Sequence, residues 1–215
     1  MDQQPYLSRT GQDAGTALVV RPADDTHSAV VLCHEVFGLT GTIADLAERI
    51  AHDTGATVYA PHLLTTGPFR RSEEHTAYTQ FMTTMGPSGL AERLLDFTAL
   101  HTADHQVVHC LGLSVGATAA WIASGVDQFS AVVPVYGSRI RDHMDVQPYG
   151  RAHLVFAEHE PSFSPSELAS QLRNIDRVTV EILPHHHGFC STDAGTYSRT
   201  GLDHVITTAQ ALFQR

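Results

Sequence analysis

Residues 107–116 read Val107-Val108-His109-Cys110-Leu111-Gly112-Leu113-Ser114-Val115-Gly116. An apolar run of strand length ends in a serine with a glycine two residues away on either side, and an Ala- and Gly-rich stretch follows. That spacing predicts a sharp strand-to-helix turn with the serine hydroxyl exposed at its tip. The positions two before and two after such a serine face each other across the turn. Glycine suits them because it has no Cβ to collide. The plain alternative is a small-residue turn that only packs a helix on a strand, so the rest of the chain has to decide.

Outward from this turn, short β-branched runs alternate with helical spacing. Ala17–Val20 and Ala29–Cys33 read as strands. Ile43, Leu46, Ala47 and Ile50 recur at helical intervals over 42–52, with Gly55 as the stop. Thr57–Pro61 is a strand, 62–70 a loop carrying Gly67-Pro68, and 72–84 and 88–101 two helices. The strand at 106–111 enters the turn and a helix at 115–124 leaves it. Strands at 130–136, 152–157 and 177–183 follow, with a helix at 164–174 between the last two. Val205, Ile206, Ala209, Leu212 and Phe213 form one stripe of a closing helix. Alternation of this kind specifies an α/β fold, a mostly parallel sheet with helices on both faces. No repeat or linker interrupts it, so we expect a single domain over 1–215 with a flexible N-terminal segment at 1–15.

Ligands in such sheets bind beyond the carboxyl ends of the strands, and the chemistry-bearing residues fall there. A serine hydroxyl needs a base, and the base an orienting acid. After the strand ending at Ala157 comes Glu158-His159-Glu160-Pro161; after the strand ending at Leu183 comes His185-His186-His187-Gly188-Phe189. Both follow the serine in the order Ser, acid, His that this architecture uses. His187, next to glycine, is the candidate base. Three adjacent histidines also fit a solvated loop or an adventitious metal site, but no His-Glu-x-x-His is present and no metal is expected. Glu35, at the end of the Ala29–Cys33 strand, is costly to bury without a partner. It is either a solvated carboxylate near an arginine or a group placed beside Ser114.

The formal charge of −10 argues against nucleic acid or an anionic membrane as partner. All 13 basic residues are arginine, which leaves no lysine for catalysis. The N-terminus lacks the pattern of a signal peptide, and no apolar run is long enough to span a bilayer. Cys33, Cys110 and Cys190 have no metal-type spacing and read as free thiols in a reducing cytoplasm.

Taken together, His34-Glu35-Val36-Phe37-Gly38, Tyr59-Ala60-Pro61, Gly112–Gly116, Val135-Tyr136-Gly137, Glu160-Pro161 and His187-Gly188-Phe189 resemble the dienelactone hydrolase family of α/β-hydrolases, from about Ala29 to Phe213. The resemblance implies a compact α/β-hydrolase fold acting on small esters or lactones without a cofactor. It implies Ser114 as nucleophile, Glu160 as triad acid, His187 as base and Glu35 as the glutamate that contacts the nucleophile. The N–H groups of Val36 and Val115 would form the oxyanion hole. The chain departs from the family pattern in three places. Serine stands where the best-known members carry cysteine. Glutamate stands where aspartate is usual, which leaves Glu158 open as a competitor. Cys190-Ser191-Thr192 stands where the founding enzyme has a substrate-binding arginine.

Arg70 and Arg71 are the available substitutes, against the plainer reading of two solvated arginines. Phe37, Tyr136 and Phe189, with Arg70, are the candidate pocket residues. The expected activity is therefore a serine hydrolase cleaving a small ester or lactone through an acyl-enzyme, cytoplasmic, monomeric or homodimeric. Acyl transfer and a non-catalytic ligand-binding or regulatory protein are the alternatives.

Overall fold

The computed structural model describes residues 1–7, 13–23 and 27–214. Its strands are β1 (Asp2–Leu7), β2 (Asp13–Val20), β3 (Ser28–Cys33), β4 (Thr57–Pro61), β5 (Val107–Leu113), β6 (Ala131–Val135), β7 (Arg151–His159) and β8 (Val178–His186). Its helices are α1 (Gly41–Thr54), α2 (Glu74–Thr84), α3 (Gly86–His101), α4 (Val115–Ala123), α5 (Pro165–Leu172) and α6 (Arg199–Phe213). The strands form one sheet in the order β1-β2-β4-β3-β5-β6-β7-β8. From β4 to β8 neighbouring strands are parallel; β1 and β2 are antiparallel additions at one edge.

The β-branched runs are explained by burial on both faces. In β3, Val31 and Cys33 join the apolar layer under α3, α4 and α5, while Val30 and Leu32 join the layer under α1 and α6. A strand covered on both sides has no polar face to alternate with. α1 buries Ile43, Leu46, Ala47 and Ile50, as its spacing requires. It ends at Gly55, whose left-handed backbone (φ 69°) lets its N–H reach the Ala51 carbonyl at 3.0 Å.

The chain runs from β3 outward to β4, then returns across β3 to β5. This reversal leaves a crevice at the carboxyl ends of β3 and β5, where open α/β sheets hold their ligands. His34-Glu35 leaves one of these strands and Ser114 the other.

Two expectations need correction. The segment 1–15 is not flexible throughout: Asp2–Leu7 pairs with β2, with Gln3 opposite Leu18. Residues 8–12 lie outside the described residues. Tyr6 anchors β1, buried edge-on against Phe97 (centroids 5.0 Å) with its hydroxyl donating to the His62 carbonyl at 2.9 Å. Residues 2–5 are exposed, so this edge strand carries no apolar alternation to read. In addition, β7 and β8 run two and three residues past their expected ends at 157 and 183, and that extension matters for the site. Among the described residues no helix is long and apolar enough to cross a membrane.

Candidate active site

Ser114 sits between β5 and α4 with φ 54° and ψ −112°. A side chain there is strained by about 1–3 kcal/mol, and such strain persists only where the surroundings impose it. The surroundings are the two glycines. A Cβ on Gly112 would lie 2.3 Å from the Gly116 carbonyl oxygen, and one on Gly116 would lie 2.4 Å from that of Cys33. The Ser114 N–H is tied to the Val135 carbonyl at 3.0 Å. The turn is therefore clamped between β3 and β6, leaving the hydroxyl to face the crevice.

His187 and Glu160 arrive through the register of β7 and β8. The two strands are parallel, with an irregularity between Ala157 and His159 that pairs His159 with His186. The residues that follow the two strands are Glu160 and His187, so the carboxylate and the imidazole emerge side by side. His187 Nε2 lies 3.1 Å from Ser114 Oγ, and His187 Nδ1 lies 2.9 Å from both Glu160 carboxylate oxygens. The Glu160 side chain is 1 % exposed and that of His187 31 %. Burial acts to lower the His187 pKa. The hydrogen bond and charge of Glu160 act against it, with Glu35 and Glu74 adding, and the net shift is upward.

The neighbours of these groups fall elsewhere. Glu158 is exposed. His185 packs against Phe189 and His186 against His159. Among the three adjacent histidines, His187 is the one that meets the serine.

Glu35 is buried rather than solvated, but the hydrogen bonds it makes are not to Ser114. Its Oε2 accepts from Arg71 Nη2 at 2.8 Å and from Ser191 Oγ at 2.8 Å. Arg71 also reaches Asp193 at 3.0 Å and lies 4.4 Å from the Phe37 ring centroid. Glu35 and Ser114 share the wall of one cleft without such a bond between them. The guanidinium and the hydroxyl both meet Oε2, and a buried charge paired in this way is far less costly than a free one.

That cleft has a volume of about 390 Å³ and is bordered by Ser114, His187, Glu160, Val36, Phe37 and Arg71. A larger groove of about 580 Å³ between β7, β8 and α6 contains none of the convergent groups, so the smaller cleft is the site. Val36 and Val115 both border it. Val115 is the first residue of α4, so its N–H is a donor the helix itself does not use.

The proposed pocket residues divide. Phe37 lines the cleft; Arg70 does not. Arg70 is exposed and its N–H caps a short 3-10 turn at Arg71–Glu73 by donating to Glu73 at 2.9 Å. The turn directs the next residue, Arg71, inward. Tyr136 and Phe189 are fully buried and form the floor under His187: the Tyr136 ring lies 5.0 Å from His187 and 5.2 Å from Phe189. Arg139 and Arg141, from a 3-10 turn at Ser138–Asp142, also line the cleft. No sequence pattern marks them, because a turn of that length leaves no apolar period.

The three cysteines are free and buried. Burial pushes the Cys33 thiol up to about 12 and those of Cys110 and Cys190 well above the ordinary range. None of them is a rival nucleophile.

Comparison with known proteins places the chain in a family. The model of the dienelactone hydrolase family matches residues 16–215. The uncharacterized protein YczH of Bacillus subtilis is 32 % identical over 173 residues, which is 79 % of this chain and 84 % of that protein. Among solved structures, a candidate dienelactone hydrolase from Klebsiella pneumoniae superposes with a TM-score of 0.82 at 17 % identity, covering 100 % of this chain and 98 % of the other. The dienelactone hydrolase of Anabaena variabilis gives 0.72 at 20 % identity over 99 % and 97 %. A lidless serine hydrolase of Xanthomonas campestris gives 0.68 at 14 % over 99 % and 91 %. At these identities the structural likenesses speak for the α/β-hydrolase fold alone. The family match spans nearly the whole chain: the protein belongs to the dienelactone hydrolase family of hydrolases.

Proposed function

We propose that this chain hydrolyses small carboxylic esters or lactones through an acyl-enzyme on Ser114. The observation that carries the reading is the continuous relay from Ser114 Oγ to His187 Nε2 at 3.1 Å and from His187 Nδ1 to Glu160 at 2.9 Å. In this mechanism His187 Nε2 takes the hydroxyl proton as the oxygen attacks the carbonyl carbon. Glu160 holds Nδ1–H, which fixes the tautomer and stabilises the imidazolium that forms. The negative charge on the carbonyl oxygen is met by the N–H groups of Val36 and Val115. The imidazolium then gives its proton to the departing alkoxide. Water repeats the sequence in reverse and frees the acid.

The reaction needs no cofactor, and a cleft of about 390 Å³ suits a small acyl or aryl ester. The test is covalent labelling with a fluorophosphonate, together with hydrolysis of a p-nitrophenyl ester and lactone panel. The native chain is expected to label and turn over, and Ser114→Ala to do neither. A native chain that stays unlabelled, or a Ser114→Ala variant that labels equally, refutes the proposal. Turnover that survives His187→Ala removes that residue as base.

A further inference from the structure

His34 precedes the loop that borders the cleft and is fully buried. Its two ring nitrogens are both engaged. Nε2 accepts the N–H of Leu63 at 3.0 Å, and Nδ1 lies 2.7 Å from the carbonyl oxygen of Glu35. An imidazole whose Nε2 accepts carries its proton on Nδ1, so Nδ1–H donates to that carbonyl. Burial holds the ring neutral, with its pKa lowered to about 4. The same carbonyl also accepts the Gly38 N–H at 3.1 Å.

The Glu35 carbonyl and the Val36 N–H belong to one peptide unit. That unit is planar, and in the trans form its C=O and N–H point in opposite directions. A group that fixes the carbonyl therefore fixes the direction of the N–H. The second oxyanion donor is held to the same backbone. Gly116 approaches so closely that a Cβ there would lie 2.5 Å from the His34 carbonyl oxygen, which seats the start of α4 against this loop. We infer that His34 is a positioning residue of the oxyanion hole: by pinning the Glu35 carbonyl it aims the Val36 N–H at the oxygen of the tetrahedral intermediate. The inference rests on the hydrolase reading above, in which Val36 and Val115 are the donors.

Asparagine places an amide N–H near the position of Nδ1, and leucine has nearly the same shape without a donor. His34→Leu is expected to lower kcat on p-nitrophenyl acetate by about 10²-fold, the effect of losing one oxyanion donor, with KM changed by less than about threefold. Affinity for a boronic acid, which forms a tetrahedral adduct on the serine, is expected to fall by a similar factor. His34→Asn is expected to recover most of both losses. A merely structural role predicts instead that both variants lose activity in step with their melting temperatures, with no separation of kcat from KM.

The inference is overturned if His34→Leu keeps kcat within about threefold of the native value. It is equally overturned if Asn restores nothing while both variants melt cooperatively. Where His34→Leu does not fold, His34→Gln, whose amide reaches the Nε2 position rather than Nδ1, takes its place with the same expected loss. Failure of the native chain to label with fluorophosphonate is a different outcome: it removes the hydrolase reading before His34 is tested.

Discussion

Replacing Glu160 by glutamine removes one negative charge and keeps an oxygen able to accept from His187 Nδ1. Both carboxylate oxygens lie 2.9 Å from that nitrogen, which puts the two charge centres roughly 4 Å apart once the ring is protonated. At an effective dielectric of about 20 that attraction is about 4 kcal/mol. The carboxylate is 1 % exposed, so water does not take over its part. Above the His187 pKa the imidazolium exists only as the reaction proceeds, so there the loss falls on the transition state and not on substrate binding. About 4 kcal/mol corresponds to roughly 10³-fold in kcat, with KM within about threefold.

The pH profile gives a second readout. The base must be neutral, so kcat/KM rises with pH through the His187 pKa, which stands above the ordinary histidine value in the native chain. Without the Glu160 charge the chief remaining influence is burial, which lowers it, and the inflection moves to lower pH. Initial rates with p-nitrophenyl acetate from about pH 5 to 9 measure both effects, with Glu158→Gln as an exposed-carboxylate control. A loss below about tenfold, or an inflection moving to higher pH, refutes the reasoning. A large loss in the Glu158 control transfers the role to that residue.

Other perturbations separate the contributions of the scaffold. Gly116→Ala drives a methyl into backbone atoms of Cys33 and His34. Urea unfolding is expected to show a loss of about 3 kcal/mol or more, as for severe overpacking. Ser114→Gly relieves the strained backbone at φ 54° while adding chain entropy to the unfolded state. A net gain of about 1 kcal/mol with complete loss of turnover is expected. Arg71→Met strands the Glu35 carboxylate with the Ser191 hydroxyl as its donor, and about 2–3 kcal/mol of stability is expected to go; Arg70→Met, at an exposed position, is expected to stay within about 0.5 kcal/mol. Because the folded pKa of His187 is raised, its stabilising contribution is complete below the ordinary histidine value and fades as pH rises through the folded one. Thermal melts across that window are expected to show this decline in the native chain and not in Glu160→Gln.

The parts of this molecule legible in its sequence are those set by local rules. The glycine pair around Ser114 is demanded by contacts a few residues away. The alternating strands and helices follow from burial on both faces of the sheet, and the end of α1 from the freedom of Gly55. What stayed hidden depends on partners remote along the chain. Strand β1 exists because β2 offers it an edge, not because Asp2–Leu7 has a pattern of its own. Glu35 is bound by Ser191, 156 residues away, so its proximity to the crevice was readable and its partner was not. Arg70 and Arg71 are indistinguishable as a pair in sequence; a three-residue turn sends one to solvent and the other into the cleft.

The choice of base and acid shows where local reading stops. His185, His186 and His187 are chemically identical, and Glu158 and Glu160 nearly so; only a relation between strands can rank them. That relation is the pairing of His159 with His186 across β7 and β8, shifted by the irregularity just before it. Without that shift the ends of the two strands would meet one residue out of step. Because a one-residue slip turns every following side chain to the opposite face, the imidazole beside Ser114 and the carboxylate behind it are set by the same bulge. A single extra residue in β8, between Leu183 and His186, thus decides which histidine faces Ser114, and deleting it is expected to take His187 out of the relay.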